Sequence, residues 1–381
     1  MYNIRYIKEI VMKKKKSKKK LKGIRVLFSL ALIISIVVGF FAAKAQFTLN
    51  NSLKNINRDY ASALASVNLN GIKVSSDSDI VNLLLIGNDA RIEKNYESKK
   101  GLPDVMMIAT MDKKHGTLKL TSLMRDVRVY NPDTDSYMKL NESFNSNGMK
   151  SLYKTIAENY NIKLDGFVSV GFDAFKDAVN AVGGVEIELT ESEANYLRNT
   201  NYIHGKKNRA SIKAGKHVLN GNQALGYCRI RKGVSRLGLE VPVTPNGLRD
   251  DYGRTWRQRN VLSKTFEKMK SQPISKWIEV ANKVLSKVTT DLTNDKIMTY
   301  MKDVIMMGTT DIHQCQIPVE GYFRDGTVAE FGTAYLIPTN GVSNEYDISC
   351  NAEALNQFIF DYDGNGEFKY TPSSSQGDSL Q

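Results

Sequence analysis

Aspartate and arginine occur in short clusters at the ends of apolar runs in this chain. Asp89 and Arg91 follow "NLLLIG", Asp104 precedes "VMMIATM", and Arg125 follows "TLKLTSL". Carboxylate oxygens are hard ligands that suit Mg²⁺ or Mn²⁺. The planar guanidinium group of arginine matches two phosphate oxygens at once. Several arginines and a divalent ion around one centre are the usual arrangement for phosphoryl transfer.

These clusters meet only if the strands that carry them are suitably arranged. The turn "DKKHG" predicts an antiparallel hairpin of the second and third runs, which places Asp104 beside Arg125 and Asp126. If the first run lies parallel to the third, Asp89 and Arg91 reach the same edge. We therefore expect these groups around one cleft, with Asp89 and Asp104 as candidate metal ligands. Taken singly, each aspartate could instead cap a turn or pair with its nearest arginine.

A second cluster lies in "DDYGRTWRQR", at the start of a predicted helix. Asp250 or Asp251 can cap this helix, and Arg254, Arg257 and Gln258 follow in its first turns. Backbone N–H groups at a helix N-terminus and arginine forks both bind anions. Arg254 and Arg257 are three residues apart and should share a face. The alternative is a solvated basic helix start.

The segment "ALGYCRIRKG" carries two further arginines and is predicted to be a β-strand. On a strand, Tyr227, Arg229 and Arg231 point to one side, whereas Cys228 and Ile230 point to the other. Two arginines on one face repel each other. Either that face is plain solvent-exposed surface, or an anion lies between the two guanidinium groups.

The chain around these clusters alternates between β- and α-type patterns, which predicts an α/β fold. The predicted strands are "VNLLLIG", "VMMIATM", "TLKLTSL", "FVSVG", "GVEIEL" and "ALGYCRIR". The predicted helices are "MKSLYKTIAENYN", "FDAFKDAVNAVGG", "TWRQRNVLSKTFEKMKSQ" and "ISKWIEVANKVLSKV". No internal repeat or Pro/Gly-rich linker divides residues 81–361, so we predict one domain there. Residues 44–80 are interpreted as a polar stalk and residues 362–381 as a flexible tail.

The basic charge of the chain is concentrated at its N-terminus. The formal net charge is +13, of which residues 1–25 carry +10. The apolar segment 26–43 follows this basic head and is long enough to span a bilayer. Positive charge before a span keeps that end cytoplasmic, which predicts an extracellular domain and argues against nucleic acid as a partner. A cleaved signal peptide ending at "AKA" is the alternative, and the start could be Met1 or Met12.

Cysteine and histidine are too few to suggest a disulfide scaffold or a zinc site. The chain has three cysteines and four histidines, without a CxxC or HExxH motif. Cys315 and Cys350 could pair, or each could be an unreactive buried thiol, as could Cys228.

Together the motifs resemble the LytR-CpsA-Psr family of bacterial cell-envelope proteins. The resemblance is carried by "NLLLIGNDAR", "PDVMMIATMD", "TSLMRDVRV", "KLNESFN", "FVSVGFDAFKDAVNAVGGVEIEL", "AGKHVLNGNQALGYCRIRKG" and "DDYGRTWRQRNVL". It is strong over residues 81–270 and continues weakly to 361. A short cytoplasmic head with one membrane span is also typical of the family. The stretch between Arg231 and Asp250 is longer than the family pattern.

The resemblance implies an α/β/α sandwich around a central mixed sheet, preceded by one transmembrane helix, with an apolar groove for a lipid tail. The implied activity is transfer of a glycopolymer phosphate (teichoic acid or capsule-like polysaccharide) from a polyprenyl pyrophosphate carrier to peptidoglycan. The implied place is the cytoplasmic membrane of a Gram-positive-type envelope, with the catalytic domain outside. Tyr227 becomes a candidate for lining the groove.

The resemblance also implies roles for the clustered residues. Mg²⁺ or Mn²⁺ would lie at Asp89 and Asp104. The pyrophosphate would be bound by Arg91, Arg125, Arg229 and Arg231, with Arg254 and Gln258 at its rim. Asp251 is the candidate that positions or deprotonates the acceptor hydroxyl. Alternatives are a pyrophosphatase that uses water as acceptor, and a non-catalytic anchored module that binds anionic wall polymer.

Overall fold

The central element of the fold is a mixed β-sheet. The computed structural model describes residues 48, 51, 53–88, 102–309 and 311–373. Its strands are β1 (Asn57–Arg58), β2 (Ile80–Asn88), β3 (Val105–Asp112), β4 (Thr117–Leu123), β5 (Arg128–Asn131), β6 (Ser136–Lys139), β7 (Gly166–Gly171), β8 (Val185–Leu189), β9 (Gly215–Leu219), β10 (Val288–Thr290), β11 (Ile312–Ile317), β12 (Phe323–Gly326) and β13 (Tyr335–Pro338). The central sheet has the order β1-β10-β7-β2-β3-β4-β11, and β5–β6, β8–β9 and β12–β13 form separate two-stranded pairs.

The directions of β2, β3 and β4 decide where the polar clusters lie. β2 is antiparallel to β3, with Gly87 opposite Val105. β3 is antiparallel to β4, with Met107 opposite Ser122. The predicted hairpin is therefore confirmed, and β2 and β4 run in the same direction. Because β7 is parallel to β2 and β11 is parallel to β4, the predicted mixed central sheet is confirmed as well.

Helices cover both faces of this sheet. They are α1 (Phe144–Tyr160), α2 (Phe172–Ala181), α3 (Glu191–Asn199), α4 (Lys206–Ala210), α5 (Gly221–Cys228), α6 (Asp250–Lys270), α7 (Ile274–Val284), α8 (Asn294–Met307), α9 (Val328–Phe331) and α10 (Ser349–Asn356). On one face, Leu84 and Ile108 pack in a cluster with Ile156 of α1 and Leu355 of α10. On the other, Leu118 packs in a cluster that α6 and α8 cover. The strands carry apolar side chains on both faces of the sheet, as a sheet that is covered on both faces requires.

The segment "ALGYCRIR", which we predicted to be a strand, is the helix α5 followed by a loop. Asn220 begins this helix by accepting a hydrogen bond from Gln223 N (3.0 Å), and Gln223 Oε1 accepts one from Asn220 N (2.9 Å). This reciprocal capping box favours a helix start. Ala224, Tyr227 and Cys228 are all buried, which is the three-and-four spacing of a helix face.

The strand prediction for this segment is therefore wrong, and two conclusions drawn from it change. Arg229 ends α5 and Arg231 lies in the following loop, so the two arginines do not share a strand face. Tyr227, which we expected to line a groove, is fully buried in a core cluster with Leu197 and Val261. Its ring lies 5.8 Å from the guanidinium carbon of Arg257.

The folded region extends beyond residues 81–361 at both ends. Leu53 and Leu64, in the segment interpreted as a stalk, are buried, and β1 pairs with β10. Tyr362, in the predicted tail, packs against the core, and its hydroxyl lies 3.2 Å from His313 Nδ1. Few apolar residues in polar surroundings carry these contacts, which is why composition suggested a stalk and a tail.

Several predictions concern residues outside the described ranges, namely the basic head, the apolar segment 26–43 and the last residues of the tail. In the described part of the chain, no helix is long and apolar enough to cross a bilayer. The described residues from 53 onward form one compact unit. Cys228, Cys315 and Cys350 are buried and unpaired within it, so each is a separate buried thiol.

Candidate active site

Charged side chains gather at the edge where β3 begins and β4 ends. Asp104 precedes β3, and Arg125 and Asp126 follow β4. Arg125 forms an ion pair with Asp104 through Nη1, and its Nε lies 3.3 Å from Asp126 Oδ2. The predicted meeting of Asp104 with Arg125 and Asp126 is confirmed. Asp89 and Arg91, which we predicted at the same edge, lie outside the described residues.

The first turn of α6 and the loop after α5 complete this group. Arg231 Nη2 lies 2.8 Å from Asp251 Oδ2 and 3.5 Å from Asp126 Oδ2. Arg254 Nη2 lies 2.9 Å from Asp251 Oδ1. Aspartates and arginines therefore alternate through a continuous chain of ion pairs. We call Asp104, Arg125, Asp126, Arg231, Asp251 and Arg254 the arginine–aspartate cluster.

Asp126 and Lys139 belong to the site although the motif reasoning gave them no role. Asp126 bridges two arginines of the cluster, and Lys139 Nζ lies 3.2 Å from its Oδ1. Lys139 reaches the site from the end of β6, which no local spacing reveals. The signal for Asp126 was its position directly after Arg125. With Lys139 included, the cations outnumber the carboxylates by one.

The start of α6 positions Asp251 and Arg254 in a way that differs from the prediction. Arg249 is the N-cap residue, and Asp250 and Asp251 lie in the first turn, so neither aspartate caps the helix. Negative charge in a first turn is still favourable because the N-terminus of the helix dipole is positive. Thr255 fixes this turn by donating to Gln316 Oε1 at 2.6 Å.

Two neighbouring carboxylates of the cluster differ in pKa. Burial raises the pKa of Asp251 above its ordinary value, and the surrounding arginines offset that only in part. Burial acts on Asp126 too, but there Arg125 and Lys139 outweigh it and hold the pKa below its ordinary value. Paired carboxylates whose environments push their pKa values apart are typical of acid–base sites. Asp251 is the better candidate base of the two.

Arg257 does not share the anion-binding role that its spacing from Arg254 suggested. It is fully buried, and its Nε lies 2.7 Å from Glu193 Oε1, which is also fully buried. Its Nη1 and Nη2 donate to the carbonyl oxygens of Ile230 (3.4 Å) and Pro242 (2.9 Å). Arg257 therefore joins both ends of the loop that carries Arg231. Its function in the described structure is to hold that loop against α6.

A narrow cleft at the cluster opens towards an apolar groove on the α6 side of the sheet. The cleft is lined by the cluster residues other than Arg231, together with Val105, Ser122 and Gln258. The apolar groove has a volume of about 160 Å³ and is lined by residues that include Leu85, Met107, Phe172, Leu225, Cys228 and Leu262. Val105 and Gln258 line both cavities. The groove therefore begins where the charged cluster ends.

A second apolar cavity, of about 320 Å³, lies on the same side of the sheet. Leu83, which lines the second cavity, is two residues before Leu85 on β2 and points to the same face. Phe266 is four residues after Leu262 on α6 and shares its helix face. Apolar surface thus extends from the cluster along α6.

Arg229 lies at the groove, not in the ion-paired cluster. It lines the apolar groove and is exposed. Its guanidinium carbon lies 5.7 Å from the ring centre of Phe172 and 5.5 Å from that of Tyr202, within the range of cation–π contacts. Gln258, predicted at the rim of the site, donates to the carbonyl oxygen of Cys228 at 3.3 Å. It therefore ties α6 to the end of α5.

Two glycines let α5 approach its neighbours closely. A Cβ atom at Gly221 would overlap the backbone of Lys176 in α2. A Cβ atom at Gly226 would lie 3.0 Å from the carbonyl oxygen of Tyr202. Since α2 and α5 both contribute walls to the apolar groove, these close contacts set the position of one wall.

The predicted metal ligands are only partly within the described residues. Asp104 is at the cleft, its side chain is 61% exposed, and it pairs with Arg125 through Oδ1. Over the ranges that the structure describes, no group of three or more His, Cys, Asp or Glu side chains is arranged to hold a metal ion. One exposed carboxylate suits Mg²⁺ as a partial ligand, because this ion commonly keeps several waters and shares a phosphate.

Comparison with known proteins gives concordant matches. A model of the LytR-CpsA-Psr family (LytR_cpsA_psr) matches residues 40–340. The transferase TagV of Bacillus subtilis, named for joining polyisoprenyl-linked teichoic acid to peptidoglycan, is 30% identical over 72% of this chain and 65% of its own length. TagU of Enterococcus faecalis, of the same description, is 28% identical over 79% and 89%. The crystal structure of Bacillus subtilis TagV has a TM-score of 0.52 at 24% identity, over 74% of this chain and 98% of that chain.

Proposed function

The chain belongs to the LytR-CpsA-Psr family, and we propose that it transfers a glycopolymer phosphate from a polyprenyl pyrophosphate carrier to peptidoglycan. The curated relatives TagV and TagU are named as transferases that attach teichoic acid. This chain spans 65% of the length of TagV and 89% of that of TagU. Teichoic acid or a capsule-like polysaccharide is the proposed cargo.

The observation that carries this proposal is the junction of the arginine–aspartate cluster with the apolar groove. Val105 and Gln258 line both cavities. A polyprenyl pyrophosphate has the same two-part character, with a charged head and a long apolar chain. The groove can bury isoprenoid surface at about 25 cal/mol per Å². The guanidinium groups beside it can bind the pyrophosphate bidentately.

The cluster can perform the transfer with groups of this chain. The acceptor sugar hydroxyl attacks the phosphorus that carries the glycan, an O–P bond to the acceptor forms, and the bond to the leaving polyprenyl phosphate breaks. Arg125 and Arg231 stabilise the charge that develops on the phosphoryl oxygens. Asp251, whose pKa is raised by burial, accepts the proton of the attacking hydroxyl. Arg229, at the edge of the groove, binds the pyrophosphate together with the cluster.

Ion pairing in the cluster keeps the arginines in place before the substrate arrives. Arg231 contacts two carboxylates, and Arg254 Nε is buried with no hydrogen-bond partner among the described residues. A guanidinium group has five N–H donors and can hold a carboxylate and a phosphate together.

A divalent cation is part of this proposal. Asp104, with Asp89 outside the described residues, would hold Mg²⁺ or Mn²⁺ beside the pyrophosphate. When bound, such an ion neutralises charge on the phosphoryl oxygens. The basic head and the apolar segment 26–43 further support a membrane-anchored enzyme whose domain faces outward.

Transfer can be tested with the full chain in nanodiscs, a polyprenyl pyrophosphate-linked glycan and purified peptidoglycan. We expect polymer bound to peptidoglycan and one polyprenyl phosphate released for each polymer transferred. The measurement is mass spectrometry of the digested acceptor together with quantification of the released lipid. Release without acceptor labelling would identify a pyrophosphatase. Binding of the glycan without any turnover of the lipid would identify a non-catalytic module.

Replacement of Asp104 by asparagine should weaken the use of the cation. Loss of even an indirect metal partner commonly costs about 10- to 100-fold in metal affinity, so the Mg²⁺ concentration for half-maximal transfer should rise at least as much. The measurement is a Mg²⁺ titration of transfer after EDTA treatment. Asp250→Asn is the matched control, since Asp250 lies outside the cleft lining. An Asp104→Asn variant with unchanged Mg²⁺ requirement would remove the metal assignment.

A further inference from the structure

A polar pocket with two arginines adjoins the apolar groove at Arg229. The pocket has a volume of about 440 Å³, and its walls include Asn199, Tyr202, Arg229, Arg236 and Leu237. Arg229 also lines the groove. Arg236 and Leu237 come from the loop between Arg231 and Asp250. We call this cavity the Arg236 pocket.

The chain around the Arg236 pocket is strongly basic. Residues 198–239 contain ten Lys or Arg and no Asp or Glu. Residues 26–381 carry +3 in total, so the rest of that span carries −7. This basic stretch is separate from the basic head at residues 1–25. A concentrated positive field in an otherwise acidic domain attracts anionic ligands.

The loop that carries Arg236 is held by hydrogen bonds at both ends. Tyr196 Oη donates to the carbonyl oxygen of Lys232 at 2.8 Å. Val234 N donates to the carbonyl oxygen of Leu239 at 2.7 Å, and Leu239 N donates back at 3.2 Å. The buried side chain of Arg257 binds the carbonyl groups on either side of this short hairpin. The loop that forms this wall of the pocket is therefore held in one conformation by hydrogen bonds.

The positive charge of the pocket is not neutralised within the described structure. Neither Arg229 nor Arg236 has a carboxylate within 4.0 Å among the residues that the structure describes. In the arginine–aspartate cluster, by contrast, each of Arg125, Arg231 and Arg254 is paired with an aspartate. The aromatic rings beside Arg229 hold its guanidinium group without cancelling its charge. An anionic ligand would supply the missing partner.

We propose that the Arg236 pocket binds an anionic group of the glycan, a phosphodiester or a carboxylate, beyond the pyrophosphate of the carrier. This inference rests on the proposed transfer function and adds that the enzyme selects a charged polymer. The loop from Lys232 to Arg249 is then a specificity element, and Arg236 is its main contact. A pyrophosphate at the cluster would place the following sugars near Arg229, which borders the pocket.

A glycan fits this pocket better than a membrane surface does. Lipid headgroups present phosphate on a flat plane, which projecting lysines can reach. Arg229 and Arg236 instead line a cavity together with Tyr202 and Asn199. Ring and amide groups beside a guanidinium are able to stack on a sugar and bind its hydroxyl groups. The cavity also shares Arg229 with the groove as a lining residue.

The test uses the full chain in nanodiscs of neutral phosphatidylcholine and a lipid-free glycerol phosphate oligomer. Loss of one charge-assisted contact costs about 1.5–3 kcal/mol, so Arg236→Ala should weaken oligomer binding by about 10- to 100-fold. Lys213→Ala is the matched control, because this exposed residue lies in the same basic segment but outside the pocket. It should change binding by less than about threefold, since a surface charge is screened. The measurement is isothermal titration calorimetry, with neutral dextran as a second ligand.

Three results would overturn the proposal. Equal losses in Arg236→Ala and Lys213→Ala would indicate a diffuse basic field, and tight binding of neutral dextran would indicate a sugar site that does not select charge. Binding to phosphatidylglycerol nanodiscs that depends on Arg236, with no binding of the oligomer, would assign the pocket to the membrane.

A second variant, Arg236→Glu, should abolish oligomer binding while thermal unfolding stays unchanged. If the oligomer binds through Arg236 but no lipid-linked donor is ever turned over, the pocket stands and the transfer function fails.

Discussion

Replacing Arg231 by alanine is expected to reduce transfer by about 10²–10³-fold, the usual cost of one electrostatic contact to a developing charge. Arg231 is the member of the cluster that reaches both Asp126 and Asp251. Its loss removes a phosphate ligand and leaves two carboxylates facing each other without a cation between them. The measurement is the initial rate of polymer attachment at saturating lipid-linked donor.

The same substitution should also shift the pH dependence of transfer. Burial raises the pKa of Asp251, and Arg231 is one of the cations that oppose this rise. Without Arg231 the pKa of Asp251 rises further, so Asp251 stays protonated up to a higher pH. The acidic limb of the pH–rate profile therefore shifts to higher pH. Lys232→Ala, which removes an exposed cation from the next residue, is the control and should leave the profile in place. Near-normal transfer by Arg231→Ala would contradict the assignment of the site.

Replacing Arg257 by methionine is expected to destabilise the fold by about 3–5 kcal/mol, because it leaves a buried carboxylate without its partner. Glu193 and Arg257 are both completely buried. The variant also loses the hydrogen bonds to Ile230 and Pro242, which hold the loop carrying Arg231 and Arg236. Chemical denaturation monitored by circular dichroism would measure the loss.

The loss of stability in Arg257→Met could come from an uncompensated charge on Glu193 or from lost packing, and its pH dependence distinguishes the two causes. Burial raises the pKa of Glu193, and Arg257 opposes that rise. In Arg257→Met the pKa of Glu193 rises further above its value in the unfolded chain. Protonation then favours the folded state, so the stability deficit should shrink as the pH falls. Adding Glu193→Gln should restore much of the stability at neutral pH. A deficit that is constant with pH and unchanged in the double variant would contradict this explanation.

The strand edge of the site was predictable because its signals are local. Apolar runs identified β2, β3 and β4, and a short polar turn identified the hairpin. Chain direction then brings Asp104 and Arg125 together whatever the rest of the fold does. The same reasoning did not extend to Lys139, because β6 reaches the cluster through a separate two-stranded pair.

The segment around Arg229 shows why a short alternation of apolar and charged residues is a poor predictor of a β-strand. "YCRIR" alternates between apolar and charged residues, yet Asn220 and Gln223 begin a helix just before it. A capping box followed by buried residues at three-and-four spacing outweighs a short alternating run. The position of Arg257 was equally hidden, since its partner Glu193 lies far away along the chain. Helix spacing predicts which side chains share a face, whereas burial depends on what packs there.

Gly221 and Gly226 have a consequence for the shape of the groove. They set how closely α5 approaches α2 and the backbone of Tyr202, and so they help to set the width of the groove. A side chain at either position would displace α5, and with it the groove wall that Leu225 and Cys228 form. The shape of the groove therefore depends on positions 221 and 226, which do not line it, as well as on the side chains that do.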